Sequence, residues 1–124
     1  MWYNIFMIAL KQINELTIDQ ACYLAGFIDG EGSVGIVSGR IRISITQAES
    51  GKHILYTIKE WIGAGTVGLH RPAQGNWQAV YRYRLQSTSM CVQLYKQIGP
   101  YLRIKGDLLE NYKSPLKGAS AEHS

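Results

Sequence analysis

From Arg40 the chain alternates: Ile41, Ile43 and Ile45 fall on one side, Arg40, Arg42, Ser44 and Thr46 on the other. That is the period of a half-buried strand with an open, polar face. Ser33 to Val37 reads as its hairpin partner, turning through Ser38-Gly39. A second strand pair is predicted at Thr66 to Arg71 and Trp77 to Gln86, joined by the turn-rich Pro72-Ala73-Gln74-Gly75-Asn76. In the later strand Ala79, Tyr81, Tyr83 and Leu85 alternate with Gln78, Val80, Arg82, Arg84 and Gln86.

Elsewhere the spacing is helical. Thr17-Ile18-Asp19-Gln20 is a capping-box pattern, opening a helix that carries Ala21, Leu24, Ala25, Phe27 and Ile28 and closes at Gly30 and Gly32. Ser50 can cap a helix from about Gly51 to Ile62, whose Ile54, Leu55, Ile58, Trp61 and Ile62 are spaced for burial, with Gly63 as its stop. A third helix is predicted from Thr88 to Ile98, ended by Gly99-Pro100, and a fourth from Leu102 to Tyr112. The order is helix, hairpin, helix, hairpin, helix, helix. It predicts an α+β domain over 17–112, a four-stranded antiparallel sheet with helices on one face. Residues 1–16 are a lead-in, and the small, polar 113–124 are an expected disordered tail.

Composition narrows the possibilities. Apolar residues make up 46% of the chain, which excludes wholesale disorder. A net charge of +4 permits a polyanionic partner without requiring one. Cys22 and Cys91 lack metal-ligand spacing and read as two small buried apolar residues in a reducing compartment. The apolar opening from Met1 to Leu10 is too short for a bilayer and lacks the basic start of a secretory signal, so no membrane partner is expected.

Leu24-Ala25-Gly26-Phe27-Ile28-Asp29-Gly30-Glu31-Gly32 resembles one copy of the motif that names the LAGLIDADG homing endonucleases. Leu24, Ala25, Gly26, Ile28, Asp29 and Gly32 are identities. Phe27 replaces a Leu, Gly30 an Ala, and Glu31 stands where the family's catalytic acid stands. The likeness extends in element order over about 17–112. It implies a LAGLIDADG homing-endonuclease domain working as a homodimer, since one motif supplies half an active site. The helix–helix contact would use Leu24, Ala25, Gly26, Phe27 and Asp29.

The same resemblance assigns the chemistry. Glu31 would be the metal ligand and catalytic acid, with the backbone carbonyl of Gly30 adding an oxygen. Mg²⁺ is the implied ion, and Mn²⁺ is expected to substitute. Gln47 and Lys105 align with the family's solvent-organising and basic positions, and a lysine there can stabilise developing charge. Glu49 falls where a basic residue would help, a departure that works against phosphate binding. His53, His70 and His123 lack ligand spacing, so no histidine-based nuclease competes.

The open faces of the predicted strands suit double-stranded DNA: Arg40, Arg42, Ser44 and Thr46, then Arg82, Arg84 and Gln86, with Thr66, Gly68, His70 and Arg71 alongside. A ribbon fits the major groove, where Arg pairs with guanine and Gln with adenine. Lys52, Lys59, Lys96, Arg103 and Lys113 are candidate phosphate contacts. The expected function is site-specific, intron-homing double-strand cleavage at a long near-palindromic site. The rivals are a maturase that binds host intron RNA and a non-catalytic DNA-binding protein. The expected setting is an organelle, or bacterial or phage cytoplasm.

Overall fold

The computed structural model describes residues 12–106. The first helix, α1 (Ile18–Glu31), starts as its capping box dictates. The Thr17 hydroxyl accepts the Gln20 amide at 3.1 Å, and the Gln20 side chain accepts the Thr17 amide at 3.0 Å. Such a cap contributes about 1 kcal/mol. Ala21, Leu24, Ala25 and Ile28 are its buried stripe. Gly30 does not end the helix, which continues through Glu31. Gly32 is extended, at φ −88°, and is needed for closeness instead: a Cβ there would lie 2.8 Å from the Ile28 Cα.

The chain then enters β1 (Gly32–Val37) and β2 (Arg40–Ala48). Ser38 and Gly39 both have positive φ, 52° and 76°, as a tight two-residue hairpin turn requires. A 3₁₀ turn at Glu49–Gly51 leads into α2 (Lys52–Ile62). Ser50 does not cap α2; its amide is taken by the Gln78 side chain at 3.0 Å. Strands β3 (Thr66–Arg71) and β4 (Val80–Leu85) complete the sheet, and α3 (Thr88–Ile98) follows, capped by Ser87. Trp77, Gln78 and Ala79 fall outside the strand predicted to include them; Trp77 instead bridges back to Gln74 in the turn.

The sheet is antiparallel with order β1-β2-β4-β3. Its covered face is Ile41, Ile43, Ile45, Tyr83 and Leu85, all 1% exposed or less, packed with the apolar stripes of the three helices. Burying each large aliphatic side chain contributes roughly 1.5–3 kcal/mol. Leu102 is not helical: a 3₁₀ turn at Gly99–Tyr101 gives way to a bend over 103–105. Gly106 is helical, and the rest of the predicted fourth helix (107–112), Lys113, His123 and the predicted tail lie outside the described residues, as do residues 1–11. Among the described residues no helix is long and apolar enough to cross a membrane.

The end of the lead-in is tied down by side chains that imitate backbone partners. Gln93 and Gln97 of α3 accept the amides of Ile13 and Leu16 at 3.0 and 2.7 Å. Asn14 donates to the carbonyls of Glu60 and Trp61 at the end of α2.

Candidate nucleic-acid interface and active site

The face of the sheet away from the helices carries the cations. Register places Arg84 between Ser44 and Thr66, and Arg82 between Thr46 and Gly68. Arg42 lies opposite Gly35 and Arg40 opposite Val37. No carboxylate is directly opposite any of the four. Their neighbours are mostly small, so the guanidinium groups stand above a low surface with their charge unspent across the sheet. Gln86 lies just past the end of β4.

A bulge shapes one end of this face. Leu69 pairs with Tyr81, but Arg71 pairs with Val80, so His70 is the extra residue of β3. Regular alternation would turn His70 and Arg71 to opposite sides. The bulge re-aims them, and both line one open groove of about 440 Å³ with Glu31, Thr46, Gln47, Ala48 and Val80. Arg71 also lies over the Trp77 ring, 5.8 Å from its centroid, and Trp77 is exposed. Nothing in the alternation of the sequence marks Trp77; its place beside a Gly-Asn turn is the one local signal.

Glu31, the last residue of α1, is exposed at the mouth of this groove. Its position follows from register: Gly32 pairs with Ile45, so Glu31 falls beside Thr46 where the β1–β2 ladder ends. Gln47 lies against Gly51, where a Cβ would come within 2.6 Å of its Oε1. Glycine at 51 therefore makes room for the glutamine. The structure thus brings Glu31, Gln47, Thr46, His70 and Arg71 together.

Lys105 lies apart from that set. Its ammonium donates to the carbonyls of Ile28 and Asp29, both at 2.9 Å, at the negative end of α1. The Asp29 carboxylate accepts the amides of Arg103, Ile104 and Lys105 at 2.7, 3.0 and 2.9 Å. Partial burial works against the charged carboxyl, but these three amides and the nearby Lys105 charge outweigh it and hold the pKa below 3.8.

The residues expected at the dimer contact differ in exposure within the protomer. Leu24 and Ala25 are wholly buried in the protomer's own core and have no surface to offer a partner. The Asp29 carboxylate is taken up by the 103–105 bend. Gly26 is exposed and Phe27 half-buried. The exposed positions of α1 are Ile18, Asp19, Cys22, Tyr23, Gly26, Gly30 and Glu31; among them Cys22, Gly26 and Gly30 form a line of small residues, and a Cβ at either glycine would meet nothing within 4 Å.

No protein-family model and no curated protein matches the chain. Solved structures do. The homing endonuclease I-CvuI, in complex with its target in the presence of calcium, is similar at TM-score 0.62 and 21% identity over 78% of this chain and 68% of that one. The archaeal intron-encoded homing endonuclease I-Vdi141I, complexed with DNA, is similar at TM-score 0.61 and 21% identity over 83% of this chain and 70% of that one. The LAGLIDADG meganuclease I-CpaMI, bound to uncleaved DNA, is similar at TM-score 0.60 and 18% identity over 83% of this chain, which spans only 39% of that one. With its α+β order, its four-stranded antiparallel sheet and its motif-bearing first helix, the chain has the LAGLIDADG homing-endonuclease fold.

Proposed function

We propose that this chain is one half of a site-specific double-strand DNA endonuclease, a homodimer that hydrolyses phosphodiesters with a divalent metal ion at a long, near-palindromic site. The observation that carries this reading is the groove in which an exposed carboxylate, Glu31, adjoins Arg71 and His70 at the end of an arginine-lined sheet face. A structural sheet surface has no need of that juxtaposition. A nuclease must hold a polyanion on cationic side chains and present an acid to its backbone. The likeness to proteins solved on DNA supports the same reading.

The donors at the end of α1 fit half of a site for Mg²⁺, with Mn²⁺ as a substitute. The Glu31 carboxylate and the adjoining Gly30 carbonyl are hard oxygen ligands at the negative end of a helix. Among the described residues no three His, Cys, Asp or Glu side chains gather to hold a metal, so one copy offers too few ligands. A second copy would double the set. When bound, the ion supplies a Lewis acid that activates water and relieves phosphate charge. The chain's own groups do the remaining work. Glu31 would hold the ion, Arg71 would attract the phosphate with His70 as a hydrogen-bonding neighbour, and the Gln47 amide, seated on Gly51, would orient water in the groove. Arg40, Arg42, Arg82 and Arg84 read or hold the duplex, with Ser44, Thr46 and Gln86 as polar contacts.

For the dimer, the Cys22–Gly26–Gly30 line is smooth enough for a second backbone to approach. Two-fold packing there would bring the two Glu31-bearing helix ends near one axis, which makes a roughly palindromic target the natural substrate. The deciding experiment is a Mg²⁺-dependent cleavage selection on a randomised long-duplex library, run with wild type and Glu31→Gln. The expected result is one near-palindromic site cut by wild type alone. Binding without cleavage by either protein would overturn the endonuclease reading in favour of a DNA- or RNA-binding role.

A further inference from the structure

We infer that Asp29 is a positioning residue that acts through Lys105, an inference that builds on the nuclease reading. Three consecutive amides, those of Arg103, Ile104 and Lys105, converge on its one carboxylate. Both oxygens are used: Oδ2 takes the Arg103 amide, and Oδ1 takes those of Ile104 and Lys105. The bend so formed returns the Lys105 side chain to α1, where its ammonium bridges the Ile28 and Asp29 carbonyls. Asp29 therefore holds the backbone of the lysine while its own carbonyl receives the lysine's charge. The loop closes on itself across 76 residues of sequence.

The result is a cation fixed two residues from Glu31. A hydrogen-bonded carboxylate holds the bend itself, where Ile104 is 70% exposed, while Leu102 just before it packs on the core. An ammonium held on two carbonyls places a positive charge on the last turn of α1, the turn that ends in Glu31, and keeps the carbonyl end of the helix from repelling phosphate.

The test uses the full chain as wild type, Asp29→Asn, Asp29→Glu, Lys105→Met and the Asp29→Asn/Lys105→Met double variant. Acylation of Lys105 by an amine-reactive ester is followed by peptide mass spectrometry, with the exposed Lys59 as reference and the buried Cys91 thiol as a reporter of global folding. In wild type, Lys105 should react several-fold more slowly than Lys59. In Asp29→Asn it should react at the Lys59 rate while Cys91 stays protected, and Asp29→Glu should restore most of the protection. Equal Lys105 rates in wild type and Asp29→Asn would overturn the inference. If Cys91 also opens in Asp29→Asn, the decision passes to Asp29→Glu, whose failure to protect Lys105 in a folded chain overturns it.

In single-turnover cleavage, Asp29→Asn should lose roughly tenfold or more in rate, yet cost nothing further in the Lys105→Met background. Losses that multiply would show that Asp29 acts by another route. Absence of cleavage by wild type would instead defeat the nuclease reading, with acylation still deciding the positioning role.

Discussion

Gly26→Ala separates a monomer's interests from a dimer's. Gly26 lies in the interior of α1, is exposed, and offers an added Cβ open space to 4 Å. Within the protomer the substitution removes the conformational penalty of glycine in a helix, about 1 kcal/mol. For a chain of this size that raises Tm by roughly 3–6 °C. If a second α1 packs along Cys22, Gly26 and Gly30, the same methyl meets the partner's backbone. An extra methyl in a tight contact costs about 1–3 kcal/mol, a roughly 5- to 150-fold weaker dimer. Melts at a concentration low enough to keep the protein monomeric should therefore show stabilisation, and sedimentation equilibrium should show weaker self-association. Gly32→Ala is the control: its Cβ collides with the Ile28 backbone within the protomer and should destabilise at every concentration. Unchanged association of Gly26→Ala would exclude this stripe as the contact. A lower monomer Tm would refute the reading of α1 itself.

Thiol chemistry should divide the two cysteines. Cys22, expected to be buried, is exposed, whereas Cys91 is fully buried and donates to the Ile41 and Leu85 carbonyls, and burial pushes its pKa from 9.0 up to about 12. At pH 8 a disulfide reagent should find one fast thiol per folded chain, slowed as concentration rises if the dimer covers Cys22. Because the folded pKa of Cys91 lies above the unfolded one, its contribution is intact below pH 9 and fades as pH climbs toward 12. Denaturation midpoints should fall over that window, less steeply in Cys91→Ala. Asp29 has the opposite sign: its contribution holds above pH 3.8 and is lost below it, so Asp29→Asn should flatten the acid limb. Arg84→Ala should weaken DNA binding and, where the contact is to phosphate, reduce the slope of log affinity against log salt by about 0.9; an unchanged slope and affinity would remove Arg84 from the interface.

The alternation of β2 was legible because its physics is local and one-sided: Ile41, Ile43 and Ile45 face a helical layer, so the arginines between them can only face out. The helix surface was nearly as legible. At about 100° per residue, Cys22, Gly26 and Gly30 lie opposite the Ala21, Leu24, Ala25 and Ile28 stripe, so buriability alone assigns Leu24 and Ala25 to the protomer core. The motif resemblance, which treats consecutive residues as one contact face, obscured that division. A capping role for Asp29 could be read from its place near the helix end, but its partners left no local trace, since they are 74 to 76 residues away and offer amides, which every residue type carries. The groove depended on something parity cannot express. Counting by twos sends His70 and Arg71 to opposite faces, so their joint assignment to DNA contacts contradicted the regular strand from which it was drawn. One inserted residue between the Leu69–Tyr81 and Arg71–Val80 pairs resolves the contradiction. A bulge costs ladder regularity, and here it brings a guanidinium and an imidazole to the carboxylate that ends α1. Deleting His70 should therefore restore regular pairing, put the arginine in the place His70 held and leave the guanidinium without its imidazole neighbour beside Glu31. DNA affinity should fall while the fold persists, as DNA titration and circular dichroism would register. Loss of the fold on deletion would show that the bulge serves the sheet and not the groove.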